Sequence, residues 1–295
     1  MDIVPTGVLT YRGEKVRLRK AEWTIMDNEA ERLMGTTGPG REPVLDARKI
    51  TKSFGAVKAL TDVDFSVYPG EVVALIGDNG AGKSTLINVL TGVLQPDSGE
   101  IIFGGKPVTF NSPHEARAAG IETVYQDLAV APHLDAVANI YLGRETKVGG
   151  PLGFIGVLDN DKMREETLEQ LSRLRVRVPE LGRRLVTLSG GQRQGVAVAR
   201  AVMWASKIVI MDEPTAALGV AQTDSVLELI RQVRDTGIPV VFISHNMPNV
   251  FHVADRIAVL RLGSMATELD PKTATIEDAV AAMTGSSRFT RHEDN

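Results

Sequence analysis

The run Gly77-Asp78-Asn79-Gly80-Ala81-Gly82-Lys83-Ser84-Thr85 is where residue types and spacing most directly imply chemistry. It satisfies the pattern G-x-x-x-x-G-K-[ST] at every required position. The apolar run Val72-Val73-Ala74-Leu75-Ile76 precedes it, and a helix pattern from Thr85 to Leu90 follows. A strand feeding a glycine turn that opens a helix points several backbone N–H groups into one concavity, with the helix N-terminus behind them. Such a cradle holds a polyphosphate. Lys83 is placed to reach the β and γ phosphates, and the Ser84 hydroxyl to ligate Mg²⁺. The loop implies a nucleotide and leaves its use open.

Two further segments carry chemistry. Leu188-Ser189-Gly190-Gly191-Gln192 stands before a helix-like stretch from Arg193 to Met203. Its free N–H groups and dipole make a second helix end that favours negative charge. Ile208-Val209-Ile210-Met211-Asp212-Glu213 is an apolar strand that ends in two carboxylates. Ligands of open α/β sheets bind at that strand edge. Asp212 is suited to the hydration shell of Mg²⁺, and Glu213 to polarising a water for attack on a γ-phosphate.

The elements that must position these residues read as α/β. Val44 to Ala47 and Val63 to Val67 alternate as antiparallel strands, with Asp62 and Asp64 on the polar face. Val72 to Ile76 is continuously apolar, as a buried parallel strand is. Ile101–Phe103 and Val108–Phe110 form a hairpin around Gly104-Gly105-Lys106-Pro107. From Pro113 to about Arg184 the pattern is largely helical, including the charged stretch 161–175. Ile208–Met211 and Val240–Ile243 are buried strands flanking a helix over 223–234. Ile257–Leu260 and Met265–Glu268 precede a C-terminal helix over 276–283. Strand and helix in alternation imply a mostly parallel sheet covered by helices.

Residues 1–42 differ in texture. Arg12, Lys15, Arg17, Arg19 and Lys20 form a basic stretch followed by Asp27, Glu29 and Glu31, then Gly35-Thr36-Thr37-Gly38-Pro39-Gly40 reads as a linker. An unstructured or loosely docked extension fits this composition. Met26 and Met34 are alternative starts within it. A formal net charge of −4 counts against a nucleic-acid partner. The absence of cysteine excludes disulfides and thiolate metal sites. No apolar run reaches the roughly 18 residues of a membrane span, so any membrane role is expected through a partner.

Together these motifs resemble the ATP-binding subunits of ABC transporters, over roughly residues 44 to 290. Gly77–Thr85 resembles the Walker A loop, Leu188–Gln192 the signature motif and Ile208–Glu213 the Walker B strand. Gln126 in Val124-Tyr125-Gln126-Asp127 falls at the Q-loop glutamine, and His245 in Ile243-Ser244-His245-Asn246 at the switch histidine. Phe54 in Lys52-Ser53-Phe54-Gly55 resembles the aromatic that stacks on adenine.

The resemblance implies an α/β fold with a mixed central sheet, a small antiparallel β subdomain and a helical subdomain over about 112–190. The whole domain would span 43–290, before a tail at 291–295. It implies catalytic roles for Glu213, His245, Gln126 and Lys83, and Mg²⁺ ligation by Ser84, Gln126 and Asp212. It implies nucleotide contacts from Phe54, Gly77 to Thr85 and, toward a second chain, Ser189, Gly190, Gly191 and Gln192. ATP and Mg²⁺ are the implied cofactors. The implied partners are a second ATPase subunit or copy, membrane permeases and indirectly a sugar-binding protein, at the cytoplasmic face of the membrane.

Ala216-Ala217-Leu218-Gly219-Val220 departs from the family's Ser-Ala-Leu-Asp-like run, with Gly219 at the aspartate position. That leaves communication across a pair without one carboxylate. This run and Ser112 to Ile121 resemble the simple-sugar importers, in a single-domain, fructose-type form. The stretch 127–142, with Leu128, Val130, Leu134, Val137, Ile140 and Tyr141, resembles the surface that grips a permease's coupling helix. Packing of that stretch on its own subdomain is the competing reading. A soluble ABC ATPase of translation or DNA repair is the alternative function, and a regulatory module without hydrolysis is a third. The single domain and acidic balance count against the first. Intact Lys83, Asp212, Glu213 and His245 count against the second.

Overall fold

The computed structural model describes residues 8–11, 14–17, 42–125, 129–150, 154–216 and 218–286. The chain divides into two units, Met1–Gly38 and Pro39–Asn295. In the first, strands β1 (Val8–Tyr11) and β2 (Glu14–Arg17) pair antiparallel, with Val8 opposite Arg17 and Tyr11 opposite Glu14.

The second unit holds two sheets. The larger has six strands: β8 (Ile121–Val124), β9 (Ile208–Asp212), β10 (Val240–Ile243), β5 (Val72–Ile76) and β11 (Arg256–Arg261) run parallel, and β12 (Ser264–Leu269) closes the edge antiparallel. Continuous apolar runs at β5, β9 and β10 suit strands covered on both faces. Alternation then assigns each residue to one of two cores. Val72, Ala74 and Ile76 join Val209, Met211, Val240 and Phe242 on one face. Val73 and Leu75 join Ile208, Ile210, Val241 and Ile243 on the other.

The second face carries helix α1 (Lys83–Leu90) and a four-stranded antiparallel sheet. Its strands β3 (Leu45–Phe54), β4 (Val57–Val67), β6 (Ser98–Phe103) and β7 (Lys106–Val108) are ordered β4-β3-β6-β7. In β4, Leu60, Val63, Phe65 and Val67 are buried while Asp62 and Asp64 are exposed, the alternation the sequence carries. The β6–β7 hairpin is tighter than the sequence reading. Lys106 and Pro107 lie inside β7, opposite Phe103 and Ile102, so Gly104 and Gly105 alone make the turn. Both have positive φ, which glycine tolerates without steric cost. Phe110 lies beyond the strand and stacks edge-on against Phe103.

Segment 113–184 is not uniformly helical. Helix α2 (Pro113–Ala119) ends at Gly120, and the chain then enters β8, which pairs with β9 from Ile121–Ile208 to Val124–Met211. Helices α3 (Ala136–Tyr141) and α4 (Asn160–Arg173) follow, then a 3₁₀ turn at Leu185–Thr187. Helices α5 (Gly190–Trp204), α6 (Val220–Asp235), α7 (Met247–Val253) and α8 (Ile276–Thr284) complete the first face. No helix among the described residues is long and apolar enough to cross a membrane.

Candidate functional site

Three neighbouring strands deliver the chemistry to one edge. β10 lies between β5 and β9, and its Ile243 is level with Leu75 on one side and Asp212 on the other. Gly77, Glu213 and Ser244-His245 therefore leave the sheet side by side, at the carboxyl ends of parallel strands.

The phosphate loop is shaped by two close approaches. Gly77 follows the last β5–β11 pair, Ile76–Val259, and a Cβ there would sit 2.2 Å from the Leu260 carbonyl oxygen. Gly82 precedes α1 with φ +106, and a Cβ there would sit 2.7 Å from the Ala59 carbonyl oxygen. The loop closes on itself through Ala81 N–H to the Asp78 carbonyl (3.0 Å). Asp78, Asn79, Gly80 and Ser84 are exposed; Thr85 is half-buried, and Ala81 is buried. α1 carries no acidic residue in its first turn, so its N-terminal dipole is uncompensated. Lys83 Nζ donates to the carbonyls of Gly77 (2.6 Å) and Asp78 (3.0 Å). Burial lowers its pKa, and the negative charges of Glu213, Asp78 and Asp212 work against that shift.

Glu213 follows β9 in the left-handed region, at φ +47, which is strained for a residue with a side chain. Its N–H donates to the Ile243 carbonyl at 2.9 Å, so the β9–β10 pairing extends through the strained residue. Its carboxylate receives the His245 N–H at 3.0 Å, and His245 Nδ1 lies 2.6 Å from the same oxygen. The His245 side chain is 75% exposed, against 16% for Glu213. An exposed imidazole on a sheltered carboxylate can meet an incoming phosphate while the carboxylate stays oriented. The sequence reading missed Ser244. It is fully buried, lies 3.5 Å from the second Glu213 oxygen and accepts from Asn246 N–H at 3.2 Å. Its place between β10 and His245 was the only available signal.

Asp212 is half-buried beside Glu213. Desolvation and the Glu213 charge raise its pKa, offset by Lys83. A carboxylate withdrawn from water at this strand end fits a divalent cation, which would offset the desolvation of Asp212. With the folded pKa raised, the folded state binds more protons than the unfolded between the ordinary value and the raised one. Stability therefore falls as pH rises through that window, and the penalty is fully present at neutral pH. Asp212→Asn is accordingly expected to raise the Tm of the nucleotide-free protein at pH 7. The gain should vanish below the ordinary carboxylate pKa. Thermal melts at both pH values check this; a lower Tm at pH 7 would contradict it. Gln126 lies outside the described residues.

Phe54 is 48% exposed at the end of β3, with Lys52 Nζ 5.9 Å from its ring centroid, so it is free of the core and presents a face for stacking. The Ser189–Gln192 end is a capping box: Gln192 N–H donates to Ser189 Oγ at 3.3 Å and Ser189 N–H to Gln192 Oε1 at 2.9 Å. Ser189, Gly191 and Gln192 line a cavity of about 520 Å³ between residues 174–177 and α6, which no phosphate-loop residue lines. The structure thus gathers Gly77–Thr85, Asp212, Glu213 and His245 at one edge and gives the second anion-directed helix end a different surface. Within the proposed permease-gripping stretch, Ile140 and Tyr141 are 1% exposed and Val137 packs against the core. The competing reading holds for those three, because the face of α3 that carries them is needed to cover α5. Val130 also packs against the core, Leu134 and Leu142 are exposed, and Leu128 lies outside the described residues.

The family model described as ABC transporter matches residues 60–216. The chain is 53% identical to the fructose import ATP-binding protein FrcA of Rhizobium meliloti over 247 residues, covering 83% of this chain and 95% of that protein. It is 47% identical to the xylose/arabinose import ATP-binding protein XylG of Sulfolobus acidocaldarius, covering 82% and 94%. Against the ribose import ATP-binding protein RbsA of Lacticaseibacillus paracasei it is 40% identical, over 82% of this chain and 47% of that one. Among solved structures, the ADP conformation of MJ1267, an ATP-binding cassette of an ABC transporter, superposes with TM-score 0.69 at 29% identity, covering 83% and 96%. The dimeric post-hydrolysis state of the cassette MJ0796 bound to ADP and Pi superposes with TM-score 0.63 at 26% identity, covering 77% and 98%. By sequence, by fold and by the residues gathered at its sheet edge, this chain belongs to the ABC transporter family of ATP-binding cassettes.

Proposed function

We propose that this chain is the ATP-hydrolysing subunit that energises import of a simple sugar, working as a pair of cassettes on membrane permease subunits at the cytoplasmic face. The observation that carries the reading is the convergence of Lys83, Asp212, Glu213 and His245 at the carboxyl ends of β5, β9 and β10. The 53% identity to a fructose import protein across nearly its full length supports the solute class.

In this reading the loop N–H groups and Lys83 hold the phosphates, exchanging the ammonium's present carbonyl contacts for phosphate oxygens. Phe54 stacks on adenine and tunes affinity. Ser84 and Asp212 would hold Mg²⁺, which supplies charge neutralisation for the phosphates. Glu213 orients and deprotonates the attacking water, and His245 contacts the γ-phosphate. Gln126 is assigned to the same water and metal by resemblance alone. Ser189, Gly190, Gly191 and Gln192 contact the γ-phosphate held by a second chain. Their separate surface supports this, and so does the dimeric state named for the similar cassette MJ0796.

A test is uptake of labelled fructose, ribose and xylose in cells deleted for this gene and supplied with the wild-type chain or Lys83→Ala. Restored uptake of one sugar by the wild-type chain alone is expected. Unchanged uptake in the deletion strain, with the protein recovered on ribosomes or DNA, would contradict the reading.

A further inference from the structure

Gln222, in the first turn of α6, joins two segments that the function as described leaves unconnected. Its Oε1 accepts from the Gly219 N–H at 3.1 Å, holding the end of the loop that starts at Glu213. Its aliphatic stem lies against the other anion-directed helix end. A Cβ built on Gly191 would meet Gln222 Cβ and Cγ at 3.3 Å, and one on Gly190 would meet Leu218 Cδ2 at 3.1 Å. Gly190 and Gly191 have ordinary φ, so their glycines serve close approach rather than an unusual backbone. One amide side chain therefore fixes the Gly219 turn and abuts the start of α5.

We infer that Gln222 is a positioning residue that locks the loop following Glu213 to the Ser189–Gln192 helix end, so that both present to a second chain as one block. This rests on the pairing reading above. Gly219 itself has φ −72, and a Cβ there meets nothing closer than Gln222 Oε1 at 3.8 Å. The position tolerates other residues. What it supplies here is its N–H, and the side chain that fixes it sits three residues on, in a geometry that glutamate can reproduce.

The test is steady-state ATP hydrolysis by Gln222→Ala and Gln222→Glu beside nucleotide affinity and Tm, at a series of protein concentrations. Gln222→Ala should lose about tenfold in kcat with ATP affinity and Tm close to wild type, because its own phosphate loop is untouched. Gln222→Glu should recover most of the loss. Full turnover by Gln222→Ala, or no recovery in Gln222→Glu, would overturn the inference. Failure of the pairing reading shows separately, as a wild-type specific activity that does not depend on protein concentration.

Discussion

With Glu213 replaced by Gln, kcat for ATP hydrolysis is expected to fall by about 10²–10⁴-fold while ATP still binds, the range for removing a general base. Gln has the same shape and keeps one oxygen to accept the His245 N–H, now made at 3.0 Å to Glu213. It cannot take a proton from water. The substitution also removes a negative charge beside Asp212 and Lys83, whose pKa shifts both register Glu213. Nucleotide affinity should not suffer, since crowding of the phosphates by a carboxylate is relieved. Single-turnover phosphate release and equilibrium nucleotide titration read the two effects apart. An unchanged rate would remove Glu213 from its role.

The second large effect is steric. Gly77→Ala places a methyl 2.2 Å from the Leu260 carbonyl and 3.0 Å from Ala81 Cβ. Leu260 and Ala81 are buried, and β11 is held between β5 and β12. Relief requires parting β5 from β11 at the loop, so the cost should reach or exceed the ~1–3 kcal/mol of ordinary overpacking. The displaced segment is the phosphate cradle itself, so loss of measurable ATP binding is expected with the stability loss. Gly80→Ala is the control: φ is +81 but no atom lies within 4 Å. Its cost is that of left-handed backbone alone, about 1–2 kcal/mol. Urea unfolding and ATP titration of the two variants should rank Gly77→Ala well below Gly80→Ala. Equal behaviour would show that the Leu260 contact does not shape the loop.

The sequence was legible where one residue pattern had one physical meaning. The apolar runs of β5, β9 and β10 could only be strands covered on both faces, and their ends had to share an edge with Gly77, Asp212 and His245. Phe54 could be read as a stacking face only because resemblance placed it; its 48% exposure leaves the ring free of the core. Other features depended on tertiary neighbours. β8 is short and lies between helices, so its place in the sheet follows from pairing with β9 and not from its own four residues. The turn between β6 and β7 hinged on whether Pro107 sat in the strand; a short edge strand accepts it. For Ile140 and Tyr141 the sequence left a docking surface and packing on their own subdomain both open, because helical amphipathicity does not say which apolar face covers the core. Gln222 was invisible as a functional residue because its meaning lies in what it touches, Gly219 and Gly191.

The family's carboxylate is missing at position 219, yet the Gly219 N–H is held by Gln222, whose stem lies close to Gly191. On the proposed reading the chain's own half-site supplies a phosphate cradle, a base and a histidine, and its second anion-directed end, at Ser189–Gln192, serves another copy.

Light scattering of the Glu213→Gln protein with and without ATP tests that claim most directly. With hydrolysis suppressed, saturating ATP should shift the mass from one chain to two, and Ser189→Arg in the same protein should abolish the shift while ATP still binds. A single-chain mass with ATP bound, or a dimer indifferent to Ser189→Arg, would contradict a site shared between two copies.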